Sequence, residues 1–281
     1  MDIVTIRTFI AAATAGSFSE AAQRVHASPS AVTERIKQLE HVLRVRLFER
    51  DKRGCRLTPA GRRFLDPALK MQRAWQHGCE QTALPPRFTQ LVRVGGQHAL
   101  WPRLLMPWLD AMREARRDIA FHAVAAAPAQ LNRALDDAEL DIAFLYEPQL
   151  ARGQRMEQLA EDRLILVTAN PAVDWTENFV RTEWGEAIND ELRARLGDLP
   201  SPGLTLDLGV LSLDWLARTG SSGFVPERLA ESYIGSGQLE PVEDMPALAF
   251  SPYVCWSAAM EDGLVEDMIA MARGMMEGPA F

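Results

Sequence analysis

Residues 16–58, GSFSEAAQRVHASPSAVTERIKQLEHVLRVRLFERDKRGCRLT, carry two helix starts and a basic hairpin in close succession. Ser17 followed by Glu20 is an S-x-x-E capping box: the hydroxyl accepts from one orphan amide and the carboxylate reaches back to another. A helix is therefore predicted from Phe18 to about His26. Ser28 makes a second N-cap, with Pro29 at the first helical position, where its fixed φ and missing N–H cost nothing. Only Ala27 and Ser28 separate the two helices, the spacing of a helix-turn-helix. In the second helix Val32, Ile36, Leu39 and Leu43 fall on one stripe, facing Ala21 and Ala22 of the first. Pro29, Ser30, Thr33, Glu34 and Lys37 are left outside, a face suited to the major groove of DNA.

Behind this helix, residues 45–48 and 55–58 read as two short strands around Asp51-Lys52-Arg53-Gly54, whose glycine can take the positive φ of a tight turn. Arg44, Arg46, Arg50, Lys52, Arg53 and Arg56 crowd into thirteen residues. An isolated charge run is usually a solvated face, but directly after a helix-turn-helix such a wing is positioned to meet phosphates or a minor groove.

Charge divides the chain. Residues 1–88 hold 15 Lys and Arg against 8 Asp and Glu, a net of +7, whereas residues 89–281 hold 15 against 30, a net of −15. The overall −8 hides a cationic end that attracts polyanions. The chain's 281 residues suffice for two or three cores, and the N-terminus has neither a basic run nor an apolar segment. No uninterrupted 18-residue apolar stretch occurs, so a cytoplasmic protein without membrane contact is expected. Cys55, Cys79 and Cys255 are too few and too scattered for a disulfide framework or a zinc site.

Residues 59–83, opened by Thr58 as N-cap and Pro59 at N1, are predicted as one long helix. Phe64, Leu65, Ala68, Met71 and Trp75, with Gly78 and Cys79 continuing the spacing, make an apolar face whose economical partner is the same helix of a second chain. Pro67 predicts a kink, and Pro85-Pro86 ends the helix. Beyond it strands at 91–95, 119–124 and 142–146 alternate with helices at 102–112 and 128–138, a β-α-β-α-β run that requires a parallel sheet. Strands at 164–168 and 204–208 and a helix at 211–218 follow. Residues 253–256 return the chain, and 260–276 form a closing helix. Residues 171–203 show no usable period.

From residue 3 to about 69 the chain resembles the winged helix-turn-helix of LysR-type transcriptional regulators. The resemblance is carried by F-x-A-A-A-x-x-G-S-F-S-E-A-A at 9–22, S-P-S-A-V-T-x-x-I-x-x-L-E at 28–40, L-F-E-R at 47–50 and L-T-P-A-G at 57–61. It implies that Pro29, Ser30, Thr33 and Glu34 lie near base edges, that Arg35 and Lys37 approach the backbone, and that Arg53 serves the wing. Ser28, Arg50 and Lys52 complete the expected DNA-contact set. Glu34 stands where the family usually has Arg or Gln; it either accepts from a cytosine amino group or pairs with Arg35 or Lys37 and reads nothing. In the family the long helix is the dimer seam, which presents two recognition helices about one turn of DNA apart.

The acidic part resembles the family's effector domain through Val94-Gly95, Leu140-Asp141-Ile142-Ala143 and the run 216–239 with G-F-V-P-E-R-L-A-E. That implies two α/β lobes like those of periplasmic binding proteins, with a small molecule between them at strand ends and helix starts. The expected pocket residues are Gln97, His98, Ala99, Ala126, Ala127, Tyr146, Glu147, Asp207, Ser221 and Ser222, with the charge of the ligand left open.

The fold expected is thus an α/β multidomain chain: a winged helix-turn-helix at 1–58, a linker helix and hinge at 59–88, and an effector domain at 89–281. Its lobe I comprises about 89–162 and 257–281, and lobe II about 163–256. Partners expected are double-stranded DNA, a second copy, a dimer of dimers through the acidic domains, a small-molecule effector and RNA polymerase. No cofactor is expected. No catalytic or metal residue stands out: G-x-S-x-G, Walker, dinucleotide and H-E-x-x-H patterns are missing, and the five histidines fall in no metal spacing. From residues alone a rival stays open, a cytosolic small-molecule-binding protein or enzyme whose basic N-terminal module docks protein or RNA.

Overall fold

The computed structural model describes residues 2–51, 54–197 and 199–276, apart from the side chains of Arg50 and Asp51. They fall into two units, Met1–Pro86 and Arg87–Phe281. The first runs α1 (Ile3–Ala15), α2 (Phe18–Arg24), α3 (Pro29–Leu43), β1 (Phe48–Asp51), β2 (Gly54–Leu57) and α4 (Pro59–Thr82). Helix α1 escaped the sequence reading because it is apolar on nearly every side, so no period marks a face. Burial makes it the centre of the unit. Ile6, Phe9 and Ala12 are sealed, and the Phe9 ring meets Phe48 at 5.4 Å and Phe64 at 5.1 Å, tying hairpin and α4 to one core.

The two predicted N-caps are present: Ser17 Oγ accepts from Glu20 N at 3.5 Å and Ser28 Oγ from Ala31 N at 3.2 Å. The Glu20 carboxylate, however, takes the Arg24 guanidinium at 2.6 Å, so the expected reciprocal half of the box is replaced by an i,i+4 pair. Val32, Ile36 and Leu39 are buried against Ala21 and Ala22 as their spacing requires. The first wing strand begins later than residue 45. Arg44 closes α3 in the left-handed region at φ 54, Val45 N donates back to Glu40 O, and the Glu40 carboxylate accepts from Leu47 N (2.7 Å) and Phe48 N (3.1 Å). Those bonds hold 45–47 out of the ladder, which runs from Phe48↔Leu57 to Asp51↔Gly54. Gly54, at φ 141, abuts the α1–α2 turn: a Cβ there would sit 2.3 Å from Gly16 O, and Cys55 N donates to that same oxygen at 2.8 Å.

Helix α4 continues through Pro67. Its apolar face divides. Phe64, Leu65, Ala68 and Met71 pack into their own unit's core, while Trp75 stays 56% exposed and Gly78 and Cys79 lie open.

The second unit contains β3 (Gln90–Gln97), a 3-10 turn and a π-helical turn leading into α5 (Met106–Ala115), β4 (Ile119–Ala126), α6 (Pro128–Asp136), β5 (Ile142–Leu145), β6 (Gln154–Gln158) and β7 (Arg163–Thr168). Then come β8 (Arg181–Thr182), α7 (Glu186–Leu196), β9 (Thr205–Leu206), α8 (Leu211–Thr219), β10 (Ser222–Pro226), α9 (Glu227–Gly235), β11 (Glu240–Pro241), β12 (Leu248–Ala249), β13 (Tyr253–Ser257) and α10 (Asp262–Met276). One sheet has the order β4-β3-β5-β13-β6, with β3 parallel to β4 and β5 and with β13 antiparallel to β5 and β6. In a second, β7 pairs antiparallel with β10, β11 and β12, and a third consists of β8 and β9 alone, paired in parallel. Residues 253–256, expected in the second lobe, therefore belong to the first sheet, because their backbone completes the exposed side of β5. The chain passes between the sheets twice, and the two passages bond side by side: Leu159 N donates to Pro252 O and Phe250 N to Asp162 O, each at 2.9 Å.

Residues 171–203 contain β8 and α7. Ile188 and Leu192 one turn apart, an acid in the first turn, arginines in the last and glycines at both ends are the signals that mark α7. Among the described residues no helix is long and apolar enough to cross a membrane.

Candidate nucleic-acid interface and ligand cleft

Helix α3 projects from the first unit by its N-terminal half. Ser28, Pro29, Ser30, Glu34 and Lys37 are exposed and Thr33 is half-buried. Ser28 and Ser30 share a hydroxyl contact of 2.9 Å at the helix start, where the unpaired N–H groups of the first turn and the positive end of the dipole face outward. Arg35 turns the other way: its Nη1 donates to Thr8 Oγ1 of α1 at 3.3 Å. Glu34 accepts from Gln38 Nε2 at 3.5 Å, one turn along, rather than from Arg35 or Lys37. Arg44, Arg46 and Arg56 are exposed around the hairpin, Arg56 opposite Glu49 in register. Lys52, Arg53 and the side chain of Arg50, all expected to meet DNA, lie outside what is described. The arrangement offers a row of short polar and cationic groups on a rigid helix, flanked by further cations, and suits a duplex groove.

In the second unit a cleft of about 780 Å³ opens between the five-stranded sheet and the segment of β8, β9 and α7. From the first sheet's side it takes Gln97, His98 and Ala99 after β3, Ala127 at the start of α6, and Glu147 after β5. The facing wall comes from Glu183, Trp184 and Gly185, the first turns of α7, and Asp207 with Gly209. Six of the ten expected pocket residues are thus brought together. The other four are not. Tyr146 is buried in a stack with Phe250, rings 4.2 Å apart. Ser222 Oγ donates inside the second sheet to Thr168 Oγ1 at 2.9 Å, and Ser221 Oγ lies 2.8 Å from Thr219 Oγ1. Ala126 packs against the small cluster around Leu131 and Leu135.

Gln97 and Glu147 are each held from behind. Gln97 Oε1 accepts from Tyr146 N at 3.1 Å, fastening the ends of β3 and β5. Asn132 of α6 donates to Glu147 O and accepts from Gln149 N, fixing the loop that carries Glu147. The Glu147 carboxylate crosses the cleft to the start of α7, where it accepts the N–H groups of Glu186, Ala187 and Ile188, the last at 3.3 Å. Burial nevertheless dominates and raises its pKa above the usual carboxylate value. The seat exists because residue 185 is glycine. At φ 145 a Cβ there would lie 2.1 Å from the carboxylate carbon of Glu147. Glu183, Trp184, Gly185, Glu186 and Asp190 were missed by sequence reasoning, since all lie in the stretch left unassigned.

Asp162 sits where the chain passes between the sheets. Its Oδ1 accepts from Arg163 N (2.8 Å) and Arg228 N (3.3 Å), and its Oδ2 is buried with no hydrogen-bond partner among the described residues. Burial raises its pKa to about 6. Burial likewise pushes the Cys255 thiol up to about 12, which leaves it an inert core group. Among the described residues no cluster of three metal-ligating side chains occurs.

A family model described as a bacterial regulatory helix-turn-helix protein of the lysR family matches residues 3–62, and one described as a LysR substrate binding domain matches residues 87–277. The HTH-type transcriptional regulator HdfR of Yersinia enterocolitica is 28% identical over 269 residues, spanning 91% of this chain and 90% of its own. Among solved structures, full-length CbnR complexed with its target DNA superposes with a TM-score of 0.65 at 18% identity, covering 98% of this chain and 100% of the other. Full-length LysG from Corynebacterium glutamicum with bound effector Arg gives 0.62 at 18%, covering 99% of each. At that identity these two likenesses establish a shared fold.

Proposed function

The chain belongs to the LysR family of bacterial helix-turn-helix regulators, and on that premise we propose a specific use for each of its units. It is a DNA-binding transcriptional regulator with an effector-binding domain, and not an enzyme. Members of the family bind DNA and small-molecule effectors and form oligomers.

In our reading Ser28, Pro29, Ser30, Thr33 and Glu34 address base edges, while Lys37 and the cations of the wing, Arg50, Lys52 and Arg53 among them, meet phosphates. The exposed outer face of α3 is the observation that carries this reading. Arg35 is assigned to holding α3 on α1, which its bond to Thr8 supports. Trp75, exposed on the far half of α4, supports a seam with a second copy, with a dimer of dimers through the acidic domains and an interrupted palindrome as target. The effector occupies the cleft. A ligand that favours one spacing of the lobes shifts the placement of the DNA-binding pairs, and with it DNA bend and contact with RNA polymerase in the cytoplasm. The effect is bounded by the ligand's differential affinity for the two arrangements.

Selection of bound fragments from a random duplex library tests the reading, with Glu34→Gln run alongside. A two-fold symmetric site is expected, with Glu34→Gln changing the preferred base at one position per half-site. A selected pool without symmetry removes the dimeric palindrome, and an unchanged preference removes Glu34 from base readout.

A further inference from the structure

Carboxylates dominate the charged side chains of the cleft, and His98 is the single base among its described lining residues. Glu147, Glu183, Glu186, Asp190 and Asp207 all line it, and among the described lining residues there is no lysine or arginine. Against them stand the positive ends of α6 and α7, each equivalent to about half a charge. The α7 end is already used. A helix start opening into a cleft is where a carboxylate ligand would lie, and here Glu147 fills that seat with its own carboxylate, accepting from Glu186, Ala187 and Ile188. The fit is built into the chain, because Gly185 leaves only enough room for that carboxylate. Glu183 is partly satisfied by Asn189 Nδ2 at 2.7 Å, and Asp190 by Arg193 Nη1 one turn along at 3.2 Å. An anionic ligand entering this cleft would therefore find its helix N-terminus occupied and several carboxylates facing it, while a cation would find acceptors on both walls.

We propose that the effector of this protein is an organic cation, its ammonium or guanidinium group held by the carboxylates of the cleft with Asp207 foremost. The proposal rests on the reading that the cleft is the effector site, and fixes the chemical class of what enters it.

The test uses the full chain with agmatine, L-arginine and spermidine as cationic probes and glutarate as a dicarboxylate of comparable length, at constant ionic strength. Isothermal titration and thermal shift are the readouts. At least one cation is expected to bind and raise the unfolding temperature, while glutarate does neither. Asp207→Asn should weaken the cation by about tenfold, the order of a lost charge-assisted hydrogen bond, and Asp190→Asn, whose carboxylate already pairs with Arg193, by less. A third variant, Ala187→Trp, fills the cleft from an exposed position on α7 and should abolish binding. Glutarate binding that Ala187→Trp removes, or no binding by any cation, overturns the proposal while leaving the cleft reading standing. Cation binding that survives Ala187→Trp overturns the cleft reading and the proposal together.

Discussion

Asp162→Asn should make this protein more stable at neutral pH, although it removes a charge from a site with two hydrogen bonds. The carboxyl titrates at about 6 in the fold against an ordinary 3.8, so the buried anion costs about 3 kcal/mol relative to the unfolded chain. A raised acid favours the fold below 3.8, where both states hold the proton, and loses that contribution as pH climbs through about 6. Asparagine keeps the acceptor that serves Arg163 N and Arg228 N, and places a neutral amide at the position of the unbonded Oδ2. That unpaired amide costs about 1–2 kcal/mol, leaving a net gain of about 1–2 kcal/mol near pH 7.5. Urea unfolding followed by tryptophan fluorescence reads the second unit, which holds six of the seven tryptophans. Plotting the difference between variant and parent against pH cancels every other titrating group. The gain should fall away between about pH 7 and pH 4 and vanish or reverse below. A difference that stays flat across that range refutes the assignment of a costly anion to Asp162, whatever its size.

Gly185→Ala should lower the unfolding temperature, since a Cβ at 2.1 Å expels Glu147 from the α7 start and the backbone remains at φ 145, each worth about 1–3 kcal/mol. In the Glu147→Ala background the same change should cost less, and an additive double-mutant cycle would show that the two residues do not meet. Phe9→Ala, emptying a fully buried ring site between Phe48 and Phe64, should destabilise the first unit by about 3–5 kcal/mol and abolish DNA binding without altering ligand binding; retained DNA affinity would contradict a core centred on α1. Lys37→Ala should weaken all duplexes alike and lower the salt dependence of binding by about one counterion, whereas a sequence-selective loss would move Lys37 from phosphate to base.

The helix-turn-helix was legible in the sequence because it is written in local chemistry. Ser28-Pro29 fixes a helix start by the bonds its own atoms can make, and the stripe from Val32 to Leu39 needs no distant residue to be understood. Helix α1 was not, since Ile6, Phe9 and Ala12 announce burial without a face until Phe48 and Phe64 arrive from elsewhere in the chain. The same held for the wing, where the Glu40 carboxylate, invisible as a strand signal, delays β1 to Phe48. In the cleft, residues following parallel strands, such as Gln97, His98 and Glu147, could be named from sheet topology alone. The opposite wall could not, because α7 contributes few apolar positions and its site residues are acids that read as solvated surface until Glu147 is seen against them. Tyr146 shows the limit of reading by alternation: one residue from Glu147, it faces Phe250 and the interior.

The paired passage at Leu159–Asp162 and Phe250–Pro252 has a mechanical meaning. A body suspended from its neighbour by a single strap can twist, slide and tumble, but one hung from two adjoining straps cross-linked to each other retains chiefly a swing about the line joining them. Whatever work a bound molecule performs on the second sheet is channelled into that single pivoting coordinate, with Asp162 seated at its axle.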